Sequence, residues 1–441
     1  MLLASAPVAV LAGGCGAGAH RSAPRRLASV ASPLGGPPRK TTSSAQATAP
    51  APASTPALSA LRSTLSRQLA AAGPGTGAVV YDLTKNEQLF TLRAGVGRPP
   101  ASVEKLYTTL AVLKLLGPDA RFQTTLLGTG QLGPGGVWHG DIYLRGGGDP
   151  TFGDGAFNRD WEQGYGPSAA QLVAQLSARG IRKVTGMVIG DASLFDAKPG
   201  VPSSGFAPDV GDLGGQLAAL TYDHGAALHR LSPAAFAARE LALTMQDAHI
   251  KAHAAKLTAT APASAEPLAS VSSPPTAVLL KLTDVPSDDF FAEMLTKQLG
   301  VRFGAGGSTT AGAAVISNAI AGLGLHPQIV DGSGLSRSDQ SSPQEVVDLL
   351  REVWGTPTGQ ILRDSLPVVG MTGTVQRVGA HTAAQGHCVA KTGTLNYVSN
   401  LAGYCDSRGG DTLAFALFLD GPDNSQAFTL IGRMVAAIAR F

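Results

Sequence analysis

Strand-forming runs sit at both ends of the patterned part of this chain, and that arrangement restricts what it can fold into. Near the start, residues 58–72 have helical spacing. Gly77 to Leu83 then reads as a strand, Thr84-Lys85-Asn86 as a turn, and Leu89 to Leu92 as the returning arm of a hairpin. Near the end come a strand hairpin over 388–405, a strand from Leu413 to Leu419 and a closing helix from Ser425 to Ala439. Elements of one α/β (α+β) domain are thus separated in sequence, and the stretch between them is expected to be an insertion. The expected division is a leader and tether over 1–57, the first part of the main domain over 58–119, a smaller inserted domain over 120–275, and the second part over 276–441.

The inserted stretch has its own texture. Thr124 to Leu127, Ile142 to Leu144 and Val184 to Ile189 read as short strands, Ala169 to Arg179 as a helix, and the Ala/Pro/Ser-rich 253–275 as a loop or linker. Gly146-Gly147-Gly148-Asp149-Pro150 reads as a tight turn. It is no phosphate loop, because no Lys-Ser/Thr follows and Pro150 interrupts a helix. Beyond Ala277 the helical patterns are strong. One runs from Asp288 to Leu299 with Gly300 as its stop, one from Ser308 to Gly322, one from Pro343 to Val353.

The first 14 residues, MLLASAPVAVLAGG, are apolar and small and are followed by Cys15. They resemble the apolar core of a secretion signal without its basic flank, and they are too short to span a bilayer. Ala19 to Pro56 is rich in Ala, Pro, Ser and Thr, which cannot bury much apolar surface and suits a disordered tether. The expectation is an exported protein of the cell envelope, with lipid attachment at Cys15 left open. With 34 basic against 31 acidic residues and no basic stripe interleaved with aromatics, nucleic acid is excluded as an expected partner. His139, His224 and His229 have no ligand-like spacing, so no metal is expected.

Cysteine usage agrees with export. A hairpin centred between residues 396 and 397 sets Cys388 opposite Cys405, which predicts a cross-strand disulfide worth on the order of 3 kcal/mol. Two buried thiols are the alternative.

Chemistry concentrates around Pro99-Pro100-Ala101-Ser102-Val103-Glu104-Lys105. The prolines end what precedes, and Val103, Leu106, Leu110 and Leu113 have helical spacing up to a stop at Gly117-Pro118. Ser102 therefore lies at the first turn, with Lys105 three residues on and on the same face. A serine hydroxyl is a weak nucleophile until a base takes its proton, and a neutral lysine one turn away can be that base. Alone, Ser-x-x-Lys is better explained by a helix cap and a surface lysine, since it occurs by chance in many chains of this length.

Two further motifs strengthen it. Ser287-Asp288-Asp289 opens a helix, and Lys391-Thr392-Gly393-Thr394 lies on a strand. A Ser paired with Lys, a second Ser on a facing turn and a Lys-Thr-Gly strand form a recurring set. The second Ser can relay a proton toward a leaving amine. The strand Lys offers charge to a substrate carboxylate, Gly393 allows close backbone approach, and the N–H groups of Ser102 and Thr394 form an oxyanion hole.

With these motifs in place, the sequence from about 58 to 440 closely resembles the D-alanyl-D-alanine carboxypeptidase/endopeptidase family, the type-4 class of low-molecular-mass penicillin-binding proteins. The flanks Leu144 to Pro150, Gly190 to Phe195, Phe291 to Leu295 and Asp331 to Arg337 share the resemblance. It implies a β-lactamase/DD-peptidase-like domain, with helices around an antiparallel sheet. It implies catalytic Ser102, Lys105, Ser287 and Lys391, and substrate contacts from Asp289, Thr392, Gly393 and Thr394. The implied substrates are peptidoglycan stem peptides, the implied inhibitors β-lactams, and no cofactor is needed. Ser102 attacks the D-Ala-D-Ala amide, or a D-amino-acid cross-link in endopeptidases, and water releases the acyl-enzyme.

One position departs from the family pattern, since Asn is usual where Asp289 stands. An ionised Asp cannot donate a hydrogen bond, and a carboxylate beside Lys105 opposes a neutral amine there. Asp289 is open to three readings: protonated in a closed site, turned away, or complementing the helix dipole while Ser287 caps it. Two other functions stay in view, a serine β-lactamase and a peptidoglycan-binding homologue impaired by Asp289. Ser333 and Ser336 compete with Ser287 as the second serine, but Asp331-Gly332-Ser333-Gly334 reads as an architectural loop beside the cleft. Thr372-Gly373-Thr374 copies the strand motif without its lysine. Ser102 and Ser287 lie 185 residues apart, room for one inserted domain; relatives with two nested insertions need more.

Overall fold

Strand formation at the two ends of the patterned sequence produces a single sheet. The computed structural model describes residues 55–208, 210–225 and 230–441. The leader, Cys15, the tether up to residue 54 and His229 lie outside the described residues. Helix α1 (Pro56–Ala72) is capped by Thr55 and leads into β1 (Thr76–Asp82) and β2 (Glu87–Leu92). Helix α2 (Lys105–Leu115) follows and ends where Gly117 takes a φ of 79°. From the other end, β1 receives β10 (Thr412–Asp420), which pairs with β9 (Val398–Asp406), which pairs with β8 (Cys388–Leu395). The order is β2-β1-β10-β9-β8, antiparallel at every step, with Thr76 opposite Leu419.

Both faces of this sheet are covered, so β1 and β10 are apolar almost throughout rather than alternating. Ala78 and Val80 point into one core with α1 and the C-terminal helix α12 (Asn424–Arg440). Val79 and Tyr81 point into the other, which holds Leu106 and Leu110 of α2. Cys388 pairs with Cys405 in the β8–β9 register, and the two form a disulfide, as the hairpin centre implied.

A second sheet uses β3 (Gln123–Gly133), β4 (Val137–Arg145), β5 (Lys183–Val184), β6 (Val188–Asp191) and β7 (Glu266–Ser272). Helices α4 (Ala169–Ala178) and α6 (Pro233–Asp247) pack on it, the short α3 (Gly155–Trp161) precedes α4, and α5 (Val210–Leu213) sends Leu213 into the core that holds α2. β7 corrects the reading of 253–275 as loop or linker. Its burial does not alternate, so no period-2 signal marks it; its place comes from pairing with β3. Helix α6 also went unread, since its core face is mostly alanine.

The remaining helices are α7 (Thr276–Asp284), α8 (Asp289–Phe303), α9 (Thr309–Ala321), α10 (Pro343–Val353) and α11 (Pro357–Ser365). α8 runs through Gly300 to Phe303, so Gly300 is not the stop it resembles. A Cβ there would lie 2.5 Å from the Gly306 carbonyl oxygen and 3.0 Å from the Gly312 amide nitrogen. The glycine admits α9 and its approach loop. Among the described residues no helix is long and apolar enough to cross a membrane.

Candidate active site

Ser102 lies on a 3-10 turn, Ala101–Glu104, that runs straight into α2. The turn is wedged between two glycines. A Cβ at Gly334 would lie 2.0 Å from the Ala101 carbonyl oxygen, and one at Gly393 would lie 2.3 Å from that of Pro100. Asn400 of β9 donates from Nδ2 to the carbonyls of Pro99 and Pro100 at 3.0 and 2.9 Å. Held this way, Ala101 has a φ of 48°, a left-handed conformation unfavourable for a residue with a Cβ. Gly393 thus admits the protein's own chain at Pro100 as well.

Lys105 is fully buried. Its Nζ donates to Ser102 Oγ at 3.2 Å and to the Ser333 carbonyl at 2.7 Å, and it forms an ion pair with Asp289. Asp289 therefore faces the lysine and does not turn away. It sits in the first turn of α8, where Asp288 is the cap, its side chain accepting from the Phe291 amide at 2.8 Å. The alternative in which Ser287 caps the helix is therefore not met, because Asp288 is the cap. Ser287 precedes it with a φ of 66°, a second left-handed non-glycine residue.

Ser287 faces the strand lysine. Lys391 is also fully buried and donates to Ser287 Oγ at 2.7 Å and to the Thr392 carbonyl at 3.1 Å. Burial, then the charge of Lys105, push the Lys391 ammonium down to about 7, against the opposing pull of Asp284 and Asp289. Thr392 Oγ1 donates to Thr374 Oγ1 at 2.7 Å, so the Thr372-Gly373-Thr374 copy meets the strand it imitates. Thr394 is exposed two residues further along β8, which is the edge strand of its sheet.

All three motifs therefore converge, and Ser287 rather than Ser333 presents its hydroxyl to a lysine. The Ser333 hydroxyl stays within its own loop, near Asp331 and the Leu335 amide, as an architectural role requires. Its carbonyl is the group that reaches Lys105. Glu293 holds that loop by accepting from the Gly332 and Ser333 amides, both at 2.9 Å, and Asp331 accepts from Gly334 and Ser336. Burial pushes the Glu293 carboxyl up to about 7. Beneath the site, Asp284 accepts from Thr109 and Ser365 at 2.9 and 2.8 Å, and burial raises it to about 6. The sequence reading missed these supports, along with Asn400. Among the described residues no three His, Cys, Asp or Glu side chains are grouped as a metal site requires.

A buried lysine against a serine on a helix-initiating turn, with a second Ser–Lys pair facing it from a sheet edge, defines a serine hydrolase with the penicillin-binding fold. The chain belongs to the D-Ala-D-Ala carboxypeptidase 3 (S13) family, whose model matches residues 60–208 and 211–441. It is 28% identical over 434 residues to a D-alanyl-D-alanine carboxypeptidase of Actinomadura sp., covering 79% of this chain and 78% of that one. The crystal structure of penicillin binding protein 4 from Haemophilus influenzae matches with a TM-score of 0.72 at 19% identity, over 86% of this chain and 99% of that one. The same protein complexed with a β-lactam matches with a TM-score of 0.68 at 19% identity, over 84% and 97%.

Proposed function

We propose that this chain is a serine-type D-Ala-D-Ala carboxypeptidase that acts on peptidoglycan stem peptides through an acyl-enzyme, with DD-endopeptidase action on cross-links as the same chemistry at another bond. The observation that carries this reading is the Lys105 Nζ to Ser102 Oγ contact at 3.2 Å, faced by Lys391 on Ser287 at 2.7 Å. Ser102 Oγ attacks the penultimate D-Ala carbonyl while Lys105 accepts its proton. The amides of Ser102 and Thr394 receive the developing oxyanion. The proton taken up by Lys105 is relayed through the Ser287 hydroxyl to the leaving amine, the C–N bond breaks, and D-alanine departs. Water then attacks the ester, restoring Ser102. Lys391 supplies positive charge for the terminal carboxylate, and Thr392 and Thr394 line that end. Export to the cell envelope fits this substrate.

Release of D-alanine from a D-Ala-D-Ala-terminated peptide tests the proposal. Benzylpenicillin is expected to block it and leave a stable adduct on the peptide containing Ser102. Rapid penicillin turnover without an adduct would point to a β-lactamase instead.

Burial of Lys391 gives this function a pH signature. Below about 7 the free enzyme holds the ammonium; above it the charge is lost. For a carboxylate-terminated peptide, kcat/KM is expected to fall as pH rises through that value, by up to about tenfold per unit. Lys391→Met removes that limb and lowers kcat/KM on the order of 100-fold at neutral pH. A fall that persists in the variant would assign it to another group.

The ion pair between Asp289 and Lys105 favours a second reading, an enzyme slowed at acylation. A carboxylate in contact stabilises an ammonium and gives nothing to a neutral amine. Asp289→Asn is therefore expected to raise the rate of adduct formation roughly tenfold. A slower variant would make the carboxylate a working part of the site.

A further inference from the structure

On the sheet face opposite the serine lies a cavity of about 480 Å³ between α1, α12 and the loop that carries Arg377. Four arginines from three elements line it: Arg67, Arg377, Arg433 and Arg440. No Asp or Glu is among the lining residues. The lack of acid extends well beyond the cavity, since residues 56–81, 366–405 and 424–441 contain no Asp or Glu at all. In a chain with 34 basic and 31 acidic residues, that is a local separation of charge.

Elsewhere in the molecule some arginines are matched by carboxylates, and others, such as Arg62, Arg98 and Arg121, donate to backbone carbonyls. Arg145, Arg239, Arg351 and Arg363 each lie against a carboxylate. Among the described residues none of the four cavity arginines has an ion-pair partner. Arg433 has a fixed neighbour instead: its Nη1 lies 3.5 Å from Oε1 of Gln68, a buried glutamine of α1. Four uncompensated cations converging on one volume repel one another, and the arrangement is relieved by an anion with several acceptor oxygens and more than one charge. A carboxylate satisfies one guanidinium fork; a phosphate can accept from several at once. The cavity is within the size range of small-molecule sites.

We infer that this cavity binds a phosphate group, either of a soluble phosphorylated compound or of an anionic lipid headgroup. The core of the sheet separates it from Ser102, because α1 and α12 pack on one face and α2 on the other. Occupancy there holds the enzyme near its phosphate-bearing partner and leaves acylation unchanged.

The test uses the 441-residue chain and Arg377→Glu/Arg433→Glu. Titration calorimetry with sodium phosphate at constant ionic strength is one arm. Cosedimentation with phosphatidylglycerol vesicles, against phosphatidylcholine vesicles, is the other. Binding in at least one arm, weakened roughly tenfold or more in the variant and by added salt, is the expected result. Phosphate binding without vesicle binding assigns a soluble ligand, and the reverse assigns a headgroup. Equal rates of benzylpenicillin adduct formation in the two proteins show that the variant is folded. Binding in neither arm, or equal binding by both proteins, overturns the inference; the latter would place any attraction in the basic residues before α1.

Discussion

Ser102→Ala is expected to abolish adduct formation with benzylpenicillin and to lower D-alanine release by a factor on the order of 10⁶. The variant keeps Lys105, Ser287 and Lys391 but has no oxygen to carry the acyl group. Any residual hydrolysis must come from water attacking directly, assisted by the oxyanion donors. The fold should be almost untouched. The Ser102 hydroxyl has one hydrogen-bond contact, with Lys105, so its loss costs about 1 kcal/mol. Intact-protein mass spectrometry after incubation with penicillin, beside a thermal melt, reads both quantities. An adduct of undiminished yield on the alanine variant would remove Ser102 from the mechanism.

Lys105→Met is the second large effect, and it has two parts. The catalytic part is loss of the group that accepts the serine proton, expected to slow acylation by about 10⁴-fold. The structural part arises because Lys105 is fully buried with three partners. Methionine fills much of the volume but leaves the Asp289 carboxylate and the Ser333 carbonyl without their donor. Removing one member of a buried pair costs about 3–5 kcal/mol, and the partial exposure of Asp289 places this case toward the lower end. Urea midpoints separate the parts: a variant that is folded at assay conditions yet acylates slowly has lost the base. Acylation at the parent rate would mean that another group takes the proton.

The legible parts of the site were those encoded locally. Ser102 and Lys105 are three residues apart, and the turn from Ala101 into α2 delivers them together whatever surrounds them. The Cys388–Cys405 pairing follows from counting outward from a hairpin centre, which needs no knowledge of distant contacts. The supports were hidden because they act through backbone atoms or across long separations. A carbonyl such as that of Ser333 has no residue-type signature. Asn400 meets Pro99 and Pro100 from 300 positions away. Gly300 resembles a helix stop but marks a helix contact, and no local pattern shows that Gly393 also lies against the chain at Pro100.

Ala101 and Ser287, one beside the proposed nucleophile and one carrying the second hydroxyl, both hold left-handed backbone at φ values of 48° and 66°. Left to itself, each residue would relax toward right-handed or extended conformations by about 1–2 kcal/mol. A peptide containing only Pro99 to Lys105 would therefore not keep the aim of its serine; the geometry belongs to the assembled protein. Against a typical net stability of about 5–15 kcal/mol, two such residues are a noticeable sacrifice of thermal resistance for placement. A search for stabilising substitutions would be drawn to glycine at 101, and it would gain heat tolerance by loosening the residue that aims the attack.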